Sequence, residues 1–184
     1  MTRAEVVKRS LVCAAGVFAV AASLHVAPGV ARLAGVSLAL IMSAIAVIDW
    51  GQLVIPDELN ALAAVLGVAA VGFERWGVMP EPVLHALTRG AVTAALFFAF
   101  RFLYRQLRGR EGIGLGDVKL AGVAGIWLDW TSLTVAVEIA ALTALGFVAS
   151  RVIFLRRPPD PRAKLPFGTF FAPAIWLCWL LARW

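Results

Sequence analysis

Residues 32–57 read RLAGVSLALIMSAIAVIDWGQLVIPD: an apolar run over 32–48, then Asp49, then Pro56 and Asp57. The run has the length and composition of a membrane-crossing helix and none of the alternation of a strand. A carboxylate beside hydrocarbon is costly, so an aspartate at the end of such a run points to a functional site. A second aspartate stands in the same setting. It is Asp117 in Gly114-Leu115-Gly116-Asp117-Val118-Lys119-Leu120, at the head of another apolar run.

Outward from these stretches the whole chain is of one kind. Hydrophobic residues make up 61% of the 184, and mean hydropathy is +0.87. Too little polar surface is left to coat a globule, so lipid must be the main solvent. Apolar segments fall at about 10–30, 32–48, 59–73, 86–104, 117–129, 131–154 and 167–182. They predict an all-α, polytopic transmembrane bundle of six or seven spans, a single membrane-embedded domain over 1–184 with an extra N-terminal span in 1–31 and the working bundle in 32–184. Strand-like alternation is absent, which excludes a transmembrane β-barrel. The segments at 59–73 and 117–129 are short for a full span; they either extend into their flanks or sit inside the bundle facing a water-filled cavity. A basic head, an apolar run and Gly29-Val30-Ala31 also suggest a cleaved signal peptide, but the run is long and the cleavage signature poor.

The net charge of +6 raises nucleic acid as a partner, and the placement of the cations argues against it. With seven alternating spans, Arg3, Lys8, Arg9, Arg101, Arg105, Arg108, Arg110, Lys119, Arg151, Arg156, Arg157, Arg162 and Lys164 fall on the side of the N-terminus, 13 of the 17 cations. Arg32, Arg75, Arg89 and Arg183 fall opposite. The positive-inside rule then makes the first side cytoplasmic, and the Arg156–Lys164 loop a tether to anionic lipid.

On this topology Asp49 ends the second span and Asp117 begins the fifth, so both reach the same depth at the cytoplasmic face. Gly112, Gly114 and Gly116 strip side chains from the approach to Asp117, leaving room for a substrate chain. The first turn of a helix favours an anion there, supporting ionised Asp117. Pro56 gives a rigid, donor-poor turn after Asp49, a floor for an extended peptide. Two carboxylates sharing a site titrate as a unit: one as base activates water while the other, protonated, polarises a carbonyl. That is peptide hydrolysis without a covalent intermediate, metal or cofactor.

The chain resembles the type IV prepilin peptidases, membrane aspartic peptidases with a GxGD motif. Three blocks carry the resemblance: Ile48–Asn60 with its Ile-Pro-Asp, Gly114–Leu128 with GxGD-V-K-L, and Leu165–Gly168 with Pro-Phe-Gly. The resemblance implies Asp49 and Asp117 as the catalytic pair and Gly114 and Gly116 as structural glycines. Pro56, Asp57, Lys119, Pro166, Phe167 and Gly168 belong to the motifs around a substrate channel. It implies a prepilin or pseudopilin as substrate, cut after the glycine that ends a short basic leader, in the bacterial inner membrane beside pilus-assembly machinery. The larger members carry a methyl-transferring N-terminal region with a CxxC pair. This sequence runs straight from its first hairpin into the Asp49 block, as expected of the short stand-alone form.

Other residues receive humbler readings. Asp57 is the rival acid, read as capping or substrate-orienting, and Glu58 as solvated. Lys119 either snorkels to headgroups or approaches the substrate. Glu138, within the sixth span, is expected inside the bundle, protonated or hydrogen-bonded. His25 and His85 lie on the far side, the tryptophans serve mostly as interface anchors, and Cys13 and Cys178 are small buried hydrophobes far from any metal-binding spacing. Two other classes remain: a GxGD intramembrane protease with another substrate type, and a non-enzymatic transporter or assembly subunit that uses the acids for protons or cations.

Overall fold

In a computed structural model, residues 3–26, 29–74, 81–155 and 165–184 are described, and their regular structure is entirely helical. The elements are α1 (Arg3–Val26), α2 (Gly29–Gln52), α3 (Asp57–Glu74), α4 (Glu81–Arg108), α5 (Leu115–Trp127), α6 (Trp130–Leu155) and α7 (Phe167–Leu181). Three of them, at Gly29–Gln52, Glu81–Arg108 and Trp130–Ile153, are long and apolar enough to cross a membrane. The Arg156–Lys164 loop and the side chains of Arg3, Lys8, Arg9 and Cys13 lie outside the described residues.

Cross-links fix the directions of the helices. Asp49 of α2 meets Thr169 of α7, and a Cβ on Gly35 would lie 2.5 Å from the ring of Trp179, so these two helices run antiparallel. Lys119 of α5 reaches Asp57 of α3, and Trp127 Nε1 donates to the Ala63 carbonyl at 2.9 Å, so α3 and α5 run parallel. Arg101 of α4 donates to the Ile113 carbonyl, while Arg89 donates through Nε to the Leu128 carbonyl at 2.9 Å, which sets α4 against α5. One end of the bundle therefore collects the C-terminus of α2 and the N-termini of α3, α5 and α7. Asp49 and Asp117 both lie at this end.

The helices approach through small residues, as lipid-embedded bundles do. Ala63, Ala86, Ala121, Ala124, Ala136, Ala140 and Ala172 are fully buried. A Cβ on Gly125 would sit 2.7 Å from the Arg89 carbonyl oxygen, so α4 and α5 touch backbone to backbone. Beside a core that includes Leu38, Ile45 and Phe171, other large apolar side chains point outward: Leu142 and Leu145 are 68% and 65% exposed, which suits lipid and not water. The short 117–129 segment lies within the bundle. Helix α5 has 13 residues, about 20 Å of rise, and Val118, Leu120, Ala121 and Val123 through Trp127 are buried.

One expectation needs correction. Glu138 is not inside the bundle but on an exposed face of α6. That helix packs along Leu133, Ala136, Ala140 and Ala144, and position 138 lies off this stripe. The described tryptophans divide: Trp50, Trp130 and Trp184 are exposed at or near helix ends, as interface anchors are. Trp127, Trp176 and Trp179 are buried; the indole of Trp176 donates to Ser23 Oγ at 3.0 Å, joining α7 to α1.

At the opposite end, α5 stops and α6 starts around Asp129. Arg89 satisfies the last carbonyls of α5, as a cation at a helix C-terminus should. Asp129 Oδ1 accepts the Ser132 N–H at 2.7 Å and caps α6. That bond, the Ser132 hydroxyl and, less strongly, the Arg89 charge hold the Asp129 carboxyl below its usual range. A depressed folded-state pKa contributes stability that is full above the ordinary carboxylate range and is lost as pH falls through the depressed value. Asp129→Ala is expected to lower stability by about 1 kcal/mol at neutral pH. In thermal unfolding of detergent-solubilised protein, the gap between variant and wild type should close as the medium is acidified below pH ~4.

Candidate active site

Helix α2 buries Asp49 almost completely, at 5% exposure, three residues before the helix ends. Its carboxylate is held by the start of another helix. Pro166 is the N-cap of α7, and proline suits a position whose N–H would go unused. Two residues into the helix the chain turns its free N–H groups onto Asp49. Thr169 N donates to Asp49 Oδ2 at 2.8 Å, the Thr169 hydroxyl lies 3.2 Å from the same oxygen, and the Gly168 N–H also bonds to the carboxylate. A carboxylate is thus bound where the unsatisfied donors and the dipole of a helix converge.

Gly168 must be glycine for this to happen. A Cβ there would lie 2.6 Å from Ile55 Cδ1 and 3.0 Å from Asp49 Oδ2. The Pro-Phe-Gly block is therefore the donor end of α7, shaped to admit a carboxylate from α2.

Asp117 occupies the first turn of α5. Its Oδ2 accepts the Gly114 N–H at 3.2 Å, closing the turn that opens the helix. Its Oδ1 is buried and finds no partner among the described residues. The loop before it is tied to α4, because Arg101 binds both the Ile113 carbonyl and Glu111. A Cβ on Gly112 would meet the ring of Tyr104 at 2.6 Å. Asp49 and Asp117 lie close enough for their charges to repel each other. Chemically, the pair offers one carboxylate bathed in donors and another with a bare oxygen, which is the asymmetry an acid/base couple needs.

Ile55 packs between Gly116, the neighbour of Asp117, and Gly168, which lies against Asp49. Helix α2 ends in a reversal at Leu53, whose φ of +55° is left-handed and whose N–H bonds the Asp49 carbonyl at 2.9 Å. Such a conformation in a non-glycine residue stores strain of about 1–3 kcal/mol. The reversal leaves Val54 exposed and turns Ile55 inward. Pro56 follows and leads into α3, where Asp57 stands in the first turn.

Asp57 does not join the pair. It makes an exposed salt bridge with Lys119 at 2.6 Å, so these residues engage each other across α3 and α5. His85 lines a pocket with Glu74, Glu81 and Arg89 at the opposite end. No group of three or more His, Cys, Asp or Glu among the described residues is arranged to hold a metal ion.

Sequence reading missed Thr169, Ile55 and Asn60. Thr169 was visible as a hydroxyl residue in the first turn after a proline. The inward turn of Ile55 depends on an αL leucine that no propensity announces. Asn60 is buried with both polar amide atoms unpartnered among the described residues, one turn beyond Asp57.

Comparison with known proteins shows what the chain is similar to. The profile of the type IV leader peptidase family matches residues 36–149. The chain is 31% identical over 176 residues to the prepilin leader peptidase/N-methyltransferase of Aeromonas hydrophila, covering 90% of this chain and 56% of that protein. It is 34% identical over 165 residues to the protein of the same name in Burkholderia pseudomallei, covering 86% and 50%. Leader peptidase HopD of Escherichia coli is 36% identical over 95 residues, covering 52% of this chain and 61% of HopD. The chain thus spans about half the length of the first two of these relatives. No solved structure matches.

Gly168→Ala is expected to destabilise the protein by about 1–3 kcal/mol, because the new methyl overpacks a filled space. Differential scanning fluorimetry in detergent measures this. Adding Ile55→Val, which removes the Cδ1 that the methyl strikes, should recover part of the loss. No recovery would locate the crowding at Asp49 alone.

Proposed function

The chain belongs to the type IV leader peptidase family, and we infer from that membership that it is a prepilin leader peptidase, an aspartic endopeptidase with Asp49 and Asp117 as its catalytic pair. The observation that carries the reading is the unequal treatment of two neighbouring carboxylates at one end of the bundle. Asp49 receives the donors of the α7 N-terminus, whereas Asp117 keeps one buried oxygen without a partner.

The mechanism follows from that inequality. Donors stabilise a carboxylate, so Asp49 is the ionised member and the shared proton resides on Asp117. This reverses the emphasis of the sequence, which offers helix-terminus support to Asp117 alone. A water between the carboxylates gives a proton to Asp49 as its oxygen attacks the scissile carbonyl carbon. Asp117 gives its proton to the carbonyl oxygen. Collapse of the tetrahedral diol returns a proton to Asp117 and passes the one on Asp49 to the departing amine. The products are a carboxylic acid and a free amine, and both aspartates recover their starting states.

The names of the relatives point to a prepilin as substrate; the resemblance extends this to pseudopilins, with a hydrophobic helix lying against the bundle and a short basic leader ending in glycine outside it. The aspartate end faces the cytoplasm in this reading. Arg101, Arg105, Arg108, Lys119 and Arg151 cluster at this end of the described helices, and Arg32, Arg89 and Arg183 at the other. Asp57 and Lys119 act as a brace at the rim, joining the two helices that begin beside the site.

Asp49→Asn and Asp117→Asn are each expected to lower leader cleavage by at least about 10²–10⁴-fold, the worth of positioned acid–base groups. The assay is conversion of prepilin to its shortened form in membranes, with insertion of each variant checked by immunoblot. Asp57→Asn should retain part of the activity, since an exposed pair contributes about 0.2–1 kcal/mol. Full activity in either of the first two variants removes that residue from the mechanism, and complete loss in the third installs Asp57 there.

A further inference from the structure

Ile55 touches both elements that carry the aspartates. Its Cβ lies 2.9 Å from where a Cβ on Gly116 would be, next to Asp117. Its Cδ1 lies 2.6 Å from where a Cβ on Gly168 would be, a point itself 3.0 Å from Asp49 Oδ2. The side chain is 6% exposed and so fills one wall of the gap from the neighbour of Asp117 to the cap of Asp49.

The wall is stiff. On one side Leu53 holds its left-handed turn by a bond to the Asp49 carbonyl, and on the other Pro56 has no freedom in φ. Isoleucine, branched at Cβ, has few rotamers with which to retreat. Gly116 and Gly168 leave no slack behind it, because both backbones already press against the same side chain.

We propose that Ile55 is a specificity-determining residue, which admits between the two carboxylates only a substrate residue without a side chain. The proposal rests on the peptidase reading above and adds to it the group that measures the residue contributing the scissile carbonyl. A carbonyl placed for attack must lie between Asp49 and Asp117, alongside Ile55. A hydrogen on its α-carbon passes the wall. A methyl or larger group meets the Ile55 methyls, with Gly116 and Gly168 blocking their withdrawal. A hydrophobic wall discriminates by about 10–200-fold per methylene.

The test uses the full chain in detergent or lipid, with three prepilin substrates bearing Gly, Ala or Val immediately before the scissile bond. The quantity read is the ratio of kcat/KM for Gly over Ala and over Val, measured on one preparation. This ratio does not depend on the fraction of enzyme that is folded. Wild type should prefer Gly over Ala by at least about 10-fold. Ile55→Ala should reduce that preference at least about 10-fold, and Ile55→Val, which trims only Cδ1, by a smaller factor. An unchanged preference in both variants, with the Gly substrate still cut, overturns the proposal and leaves the peptidase reading intact. Should Ile55→Ala cut nothing, Ile55→Val decides: a shifted ratio supports the wall and an unshifted one removes it. Failure of wild type to cut the Gly substrate at all overturns the peptidase reading, and this inference with it.

Discussion

The bond between the Asp49 carboxylate and the N-terminus of α7 organises one whole end of this molecule. A carboxylate that is 5% exposed needs donors, and the Gly168 and Thr169 N–H groups supply them where a helix has donors to spare. Meeting that need dictates the surroundings. Proline precedes the helix, glycine stands where the carboxylate enters, and α2 and α7 lie antiparallel along their shared length. Because the partners come from sequence positions 120 residues apart, the bond also joins the early and late parts of the chain.

Around this fixed point the second acid is held by quite different means. Asp117 closes the turn that starts α5, and α5 is itself the short interior helix between α3, α4 and α7. Arg89 at one end and the Arg101 contacts at the other pin α5 lengthwise. Its position is therefore determined by packing and by cations, with little help from lipid. The result is two acids in one neighbourhood, one held by the donors of α7 and one with a buried oxygen that has no partner among the described residues. Ile55 packs against Gly116 and Gly168, beside them, because α2 reverses sharply at Leu53 before α3.

The outline of the fold was legible in the sequence. Seven apolar segments became seven helices with boundaries shifted by a few residues, because hydrocarbon demands long runs without charge and leaves them easy to see. Sequence could not say which faces of those helices meet. Glu138 seemed bound for the interior because an acid in a span is costly, yet α6 packs along one stripe that passes it by. Trp127, Trp176 and Trp179 resembled interface anchors by position along the chain, and small residues on neighbouring helices made room for them inside.

By itself the sequence determined the helical class, the three motif blocks, the family they belong to and the nomination of Asp49 and Asp117. Each of these rests on local composition or spacing, which a linear chain displays directly. Only the tertiary structure decided that the Pro-Phe-Gly block binds Asp49, that Asp57 pairs with Lys119, and that Ile55 turns inward against Gly116 and Gly168. Those outcomes depend on contacts across 62 and 120 residues and on a left-handed backbone at Leu53. Neither side-chain type nor spacing encodes such contacts; they arise when helices of unequal length are packed closely against one another.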